Sequence, residues 1–155
     1  MVKYKIIDTD NESLSRLYKH LSVQSLLDIK AVNGEVTEGV LKDLKEMSIV
    51  SKTVYYDSKL AYTVFVLPSD KEECSFFVIS STLGYAHKDI LQTSFESIIK
   101  DLPNFNFYSI VYKGNHQYAK LLKDNGFNQI KEMIHGVEKR SFVLLGKNKN
   151  AKSTE

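Results

Sequence analysis

Cysteine and long apolar runs are scarce in this sequence. The single cysteine, Cys74, excludes an internal disulfide and is compatible with a reducing compartment. No apolar run approaches the ~18 residues that a transmembrane helix needs. The start, MVKYKIIDTD, lacks the apolar core of a signal peptide. These absences predict a protein without a membrane segment, working in the cytoplasm or inside a particle assembled there.

Strong charge of one sign is also missing. The net charge is +2, and no stripe of Lys and Arg stands out, so we expect no nucleic-acid partner. Tryptophan is absent, and the nine Tyr and eight Phe alternate along apparent strands or fall on apolar helix faces, which favours a core role over base stacking. The four histidines have no zinc-site spacing, and Cys74 has no nearby partner, so we expect no metal.

The N-terminal part alternates between strand and helix signals. Residues 2–8 read as a short strand, and Thr9 with Glu12 has the spacing of a capping box that starts a first helix. The stretch 28–39 contains two glycines and is interpreted as a break. Apolar residues at 36, 40, 41, 44 and 47 predict a second amphipathic helix.

The middle of the chain reads as a strand meander. Residues 52–70 predict two strands joined at DSK, and the second, Leu60 to Leu67, is almost wholly apolar and therefore expected at the centre of a sheet. Pro68 is expected to end it. CSFFVISS, 74–81, predicts the third strand.

The remaining elements complete a mixed α/β domain. A helix is predicted over 87–102, a strand over 105–114, a helix from the N-cap Asn115 to the stop Gly126, and two strands over 129–136 and 140–146. The expected order is β-α-α-β-β-β-α-β-α-β-β, in one domain over 1–146 with a polar flexible tail over 147–155.

One turn has the pattern of an anion cradle. The third strand runs into a turn with one glycine and then into a helix, where unpaired backbone N–H groups and the helix dipole attract negative charge. The turn residues are Ser81, Thr82, Leu83, Gly84, Tyr85, Ala86 and His87. His87 and the following Lys88 would add positive charge beside a bound anion.

The element order and this turn resemble the GNAT superfamily of N-acetyltransferases. In that family a loop of pattern Q/R-x-x-G-x-G/A binds the pyrophosphate of acetyl-CoA. Gly84 and Ala86 match the pattern, whereas Ser81 stands where Gln or Arg is usual. The resemblance therefore implies acetyl-CoA as cofactor, an amine as acceptor, and residues 81–87 as the phosphate loop.

A second signature of the family, N-x-x-A-x-x-L-Y-x-x-x-G-F, fits the helix that begins after Asn115. Asn115, Leu121, Gly126 and Phe127 match it, and Asn115 is implied to touch the cofactor or to shape the strands beside it. Leu122 replaces the tyrosine that in many members protonates the departing thiolate, and leucine has no proton to give. Tyr118, one helical turn earlier, is the candidate substitute.

A general base would normally be a carboxylate in the middle of a strand in this family. The candidates considered are Asp57, Glu72, Glu73 and Glu46, and none of them falls in mid-strand. All four are interpreted as solvated surface carboxylates.

The chain also resembles small bacteriophage proteins of acetyltransferase-like fold, which include internal virion proteins. That resemblance rests on Ile110, Tyr112, Gly114, Lys123 and the residues around them. Two functions therefore stay open. The first is an acyl-CoA N-acyltransferase with eroded motifs; the second is a non-catalytic structural or interaction protein whose partners are proteins such as virion components.

Overall fold

The computed structural model describes residues 3–70, 73–82, 88–102 and 106–147. Strands and helices alternate along these segments, with bounds given in chain order. They are β1 (Tyr4–Asp8), α1 (Asn11–Lys19), α2 (Val23–Asn33), α3 (Glu38–Met47), β2 (Val50–Tyr56), β3 (Lys59–Asp70), β4 (Glu73–Ser80), α4 (Lys88–Lys100), β5 (Asn106–Tyr112), α5 (His116–Asp124), β6 (Asn128–His135) and β7 (Arg140–Lys147).

The strands of the described residues form one seven-stranded sheet in the order β1-β2-β3-β4-β5-β7-β6. Every neighbouring pair in it is antiparallel except β4 and β5, which run parallel. This is the mixed, largely antiparallel α/β architecture that the sequence predicts. The apolar strand β3 lies inside the sheet, as expected, because helices cover both of its faces.

The two faces carry two separate cores. On one face, Phe65 and Ile79 pack with Leu14 of α1, Ile29 of α2 and Leu41 of α3. On the other face, the residues of β3 and β4 that alternate with these pack against α4 and α5; they include Val64, Val66, Phe76 and Val78. The N-terminal helices and the two later helices therefore cover opposite sides of the sheet.

The prediction of two N-terminal helices was wrong, because the stretch interpreted as a break contains much of α2. Ser22 caps α2, its side chain accepting the N–H of Ser25, and Gly34 ends it with φ of 84° in the left-handed region. Val23, Leu26 and Leu27 are exposed while Ile29 is buried, so apolar residues lie all around the helix. Its buried side carries Ser25 and Asp28, so the usual pattern of a polar exposed side and an apolar buried side is missing.

The capping box was also misplaced by one residue. Asp10 is the N-cap of α1, and its carboxylate accepts the N–H of Ser13 at 2.7 Å. That hydrogen bond holds the pKa of Asp10 below its usual range. Thr9 instead turns inward, and its hydroxyl lies 2.9 Å from that of Thr53 on β2.

Smaller differences concern element ends. Pro68 does not end β3, which continues to Asp70 through a register shift after the proline; Pro tolerates such an irregular position because it needs no ladder N–H. The sheet extends to Lys147, one residue into the predicted tail. The frame of α5 is confirmed: Asn115 is its N-cap, and Gly126 follows its end with φ of 93°.

Candidate functional site

The parallel strands β4 and β5 pair over a short length and then part. Their ladder joins Glu73, Cys74 and Ser75 to Asn106, Phe107 and Tyr108, and no further pair joins them along the described strands. We call the opening between 76–80 of β4 and 109–112 of β5 the cleft. Crevices at the carboxyl ends of parallel strands are the usual ligand sites of open α/β sheets.

Hydroxyl groups fill the narrow end of the cleft. Ser109 on β5 donates to the carbonyl of Phe76 on β4 at 3.1 Å, bridging the strands where the ladder stops. The hydroxyl of Tyr118, from α5, lies 2.7 Å from the Ser109 Oγ and 3.5 Å from the Phe76 carbonyl. Tyr118 is fully buried. The structure therefore places the candidate proton donor at the vertex of the cleft.

At the wide end, the backbone of Ser80 points into the cleft. Ser81 donates its N–H to the Ala61 carbonyl across the β3–β4 ladder. Because successive residues of an antiparallel strand direct their backbone groups to opposite sides, the N–H and C=O of Ser80 point away from β3, toward β5. Both of its backbone groups are bonded to the start of α2. The Ser80 N–H donates to Ser25 Oγ at 2.8 Å, and Ser22 N–H donates to the Ser80 carbonyl at 2.9 Å.

Asn115 closes the β5 side of the wide end. Its side-chain carbonyl accepts the N–H of Tyr118 at 3.2 Å, and its amide donates to Asp28 Oδ2 at 2.7 Å. Both residues are buried. The side-chain amide of Asn115 thus fixes the start of α5 and joins it to α2.

Together these contacts define a polar stripe on α2, made of Ser22, Ser25 and Asp28. The three residues follow at intervals of three, so they lie on one side of the helix and span ~9 Å along its axis. The serines bond to β4, and the aspartate bonds to Asn115, the N-cap of α5. The stripe therefore crosses the wide end of the cleft.

Asp28 is the unusual member of this stripe. It is 4% exposed, and Oδ1 has no hydrogen-bond partner among the described residues. Burial raises the pKa of this carboxyl to about 7, although the hydrogen bond from Asn115 acts in the opposite direction. A carboxyl poised near neutrality beside a cleft is a functional-site candidate.

Asp28 was not among the site residues predicted from the sequence. The signal that could have found it is Ser-x-x-Ser-x-x-Asp over 22–28, in which polar residues recur at helical spacing. Interpreting 28–39 as a break hid this spacing, because Asp28 then fell at the edge of a loop.

The predicted phosphate loop is described at its beginning. Ser81 is buried, and its hydroxyl donates to the carbonyl of Leu60 at 2.7 Å. Thr82 is exposed, and its N–H donates to the His20 carbonyl at 2.9 Å. Leu83, Gly84, Tyr85, Ala86 and His87 lie outside the described residues, so the loop stays a prediction.

The carboxylates considered as bases lie elsewhere. Asp57 is exposed at the tip of the β2–β3 turn, and Glu46 is exposed on α3. Glu73 begins β4, at the opposite end from the wide part of the cleft, with the Tyr108 hydroxyl 3.5 Å away. Glu72 lies outside the described residues. None of the three described candidates lines the cleft.

Two further residues are placed in the core. Leu122, which stands at the position of the family's tyrosine, is completely buried on α5. Cys74 is buried on β4, and burial raises the pKa of its thiol, which disfavours the nucleophilic thiolate. Among the described residues no three His, Cys, Asp or Glu side chains gather as metal ligands, and no helix combines the length and apolar character needed to cross a bilayer.

Solved acetyltransferases share this fold over nearly the whole chain. The ribosomal-protein-S18-alanine N-acetyltransferase from Escherichia coli superposes with a TM-score of 0.72 at 12% identity, over 98% of this chain and 97% of that one. Ard1 from Thermoplasma volcanium gives 0.72 at 10% identity, over 94% and 97%. A GNAT-family acetyltransferase from Bacillus anthracis gives 0.72 at 9% identity, over 96% of each chain.

These likenesses establish the GNAT acetyltransferase fold. No family model matches the sequence, and no curated protein matches it. At sequence identities of 9–12%, the superpositions establish the fold alone. They give no support to the resemblance to phage virion proteins.

Proposed function

We propose that this protein is an N-acyltransferase that uses acetyl-CoA and a primary-amine acceptor. The observation that carries the proposal is the cleft: a parallel strand pair that stops after three residues, directly upstream of the predicted phosphate loop. The shared fold supports it, since the acetyltransferases named above place their chains in the same architecture.

The residues of the cleft fit an extended thioester cofactor. A pyrophosphate held by 81–87 would leave the pantetheine arm at the carboxyl end of β4, where the backbone groups of Val78 point into the cleft. The Phe76 carbonyl and both backbone groups of Ser80 already have partners within the chain. An extended amide chain can hydrogen-bond to a strand edge of this kind. The acyl group would then lie beside Val78, between the vertex and the wide end of the cleft.

Acetyl-CoA supplies an activated acyl group, and the chain supplies position and polarity. The backbone N–H of Val78 would polarise the thioester carbonyl, and holding the two reactants together removes much of the entropic cost. Tyr118 O–H, at the vertex, would give its proton to the departing thiolate and regain one through Ser109. This assignment compensates for Leu122.

The eroded first position of the loop is compatible with binding. Ser81 bonds to Leu60 within its own chain, so it does not supply the contact that Gln or Arg would make. Binding would then depend on the backbone of the loop and on charge from His87. We therefore expect a weaker affinity for acetyl-CoA than a complete motif gives.

Thermal unfolding with added acetyl-CoA tests the proposal. Ligand at 100 times its dissociation constant should stabilise the protein by roughly 2.7 kcal/mol. Gly84→Asp should abolish the effect, because a carboxylate in the loop repels the pyrophosphate. Gly39→Asp adds the same charge at an exposed position of α3 and should leave the effect intact. No stabilisation of the natural protein at millimolar acetyl-CoA would contradict the proposal.

A further inference from the structure

We propose that Asp28 binds the ammonium group of the acceptor at Oδ1 and takes its proton. This inference rests on the proposed function and names the residue that does the work of the missing strand carboxylate. It is argued from three observations: the position of α2 across the cleft, the unpartnered oxygen, and the lack of a competing carboxylate at the cleft among the described residues.

The position of α2 decides from which side an amine arrives. The predicted phosphate loop leads into α4, and α4 and α5 pack on one face of the sheet with Phe76 and Val78. A cofactor entering beside α4 occupies that side of the cleft. The acceptor must then come from the opposite face, where α2 lies with Ile29 in the other core. The polar stripe is the part of α2 at the wide end of the cleft.

The hydrogen bonds of Asp28 leave one oxygen for a ligand. Asn115 holds Oδ2 at 2.7 Å, which orients the carboxyl, while Oδ1 has no partner among the described residues. A buried carboxylate without a compensating cation is costly. A primary ammonium brings the missing positive charge and a hydrogen-bond donor together.

The environment of Asp28 keeps its proton affinity within a useful range. Burial raises its pKa and the Asn115 amide lowers it; these two influences account for the shift. Titratable and charged side chains of the surrounding elements add nothing to it; they are Lys30 on α2, Tyr112 on β5, His116 on α5, and Glu138 and Arg140 at the β6–β7 turn. A base whose pKa lies near the working pH accepts and releases a proton most effectively.

The acyl transfer removes two protons from the ammonium nitrogen. Asp28 Oδ1 takes one proton from the ammonium, and the freed nitrogen forms a bond to the acyl carbon while the carbon–sulfur bond breaks. The thiolate gains a proton from Tyr118, and the nitrogen's second proton, lost as the amide forms, replaces it on Tyr118 through Ser109. Asp28 returns its proton to solvent as the product leaves, so one proton is released in each turnover. The products are an N-acyl amine and the free CoA thiol.

Carboxyl-carbon NMR of protein labelled at aspartate tests amine binding without any turnover. The Asp28 resonance, assigned by its loss in Asp28→Asn, should titrate near pH 7 in the free protein. The titration is repeated with saturating spermidine and with a tripeptide that has an N-terminal alanine. At least one of these amines should lower the pKa of Asp28 by at least one unit, since an ammonium stabilises the carboxylate. An unchanged titration with both amines would overturn the inference even if acetyl-CoA binds.

Kinetics separate the proton-accepting role from a structural one. Asp28→Asn should bind acetyl-CoA within about threefold of the natural protein, lose roughly 10²–10⁴-fold in kcat, and lose the rise of rate with pH. Asp57→Asn removes an exposed carboxylate and should keep both rate and pH profile. A pH profile that persists in Asp28→Asn would overturn the inference. Failure of acetyl-CoA to bind the natural protein would instead refute the proposed function, and the NMR titration would still decide on Asp28.

Discussion

The side-chain amide of Asn115 donates to the carboxyl of Asp28 at 2.7 Å, across 87 positions of sequence. This hydrogen bond joins the N-terminus of α5 to the middle of α2 and closes the wide end of the cleft. Because both residues are buried, the bond is shielded from water and holds its geometry.

Stability should depend on pH through Asp28. Its pKa of about 7 in the folded chain lies above the ordinary value of 3.8, so the folded state holds a proton that the unfolded state has released. The stabilising contribution is fully present below about pH 4 and is lost as pH rises through 7. Asp28→Asn removes this dependence. Between pH 4 and pH 8, its free energy of unfolding should therefore rise by up to about 4 kcal/mol relative to that of the natural protein.

Urea unfolding at those two pH values measures the effect. Asp57→Asn is the matched control, because its carboxylate is exposed at a turn. If the free energies of unfolding of Asp28→Asn and the natural protein differ by the same amount at both pH values, Asp28 is not buried as a neutral acid.

The vertex of the cleft predicts a role for the Tyr118 hydroxyl. Tyr118→Phe removes the group that we assign as proton donor to the thiolate, and kcat should fall roughly 10²-fold or more. Tyr62→Phe is a matched control, since Tyr62 is also fully buried and its hydroxyl lies 2.6 Å from a serine hydroxyl, that of Ser94 on α4. Equal losses of kcat in both variants would indicate a packing effect rather than proton transfer.

The position of α2 should depend on a close contact with the β6–β7 turn. A Cβ at Gly136 would lie 2.3 Å from the Ala31 carbonyl, and φ at Gly136 is 82°. Gly136→Ala should therefore destabilise the protein by about 1–3 kcal/mol and disturb the stripe. Gly39→Ala, at an open helical site, should stabilise it by roughly 0.5–1 kcal/mol. Denaturant midpoints of the two variants should move in opposite directions; a shared direction would contradict the assigned contact.

The elements with strong local signals were predictable from sequence. Asn115 and Gly126 frame α5 because capping and left-handed termination depend on a few adjacent residues. The apolar run of β3 predicted a strand that is covered on both faces of the sheet. The fold class followed from the order of such elements.

The site was less predictable because its key contacts are distant in sequence. The helix α2 exposes apolar residues and buries polar ones, so the usual amphipathic pattern did not predict it. Asp28 contacts Asn115 only through the tertiary fold. Burial, which gives Asp28 its altered pKa, is likewise a property of the assembled sheet and helices. Tyr118 was identified by its spacing from Leu122, but its placement at the vertex depends on the divergence of β4 and β5.

The most direct test of the acyltransferase account is product formation from acetyl-CoA. The purified protein would be incubated with acetyl-CoA and either spermidine or a tripeptide with N-terminal alanine, with free CoA thiol followed over time and the acceptor examined by mass spectrometry. The account predicts thiol release that requires an acceptor, yields the acetylated amine, and is lost in Gly84→Asp. Absence of acetylated product with both acceptors, at acetyl-CoA concentrations that saturate the protein, would contradict it.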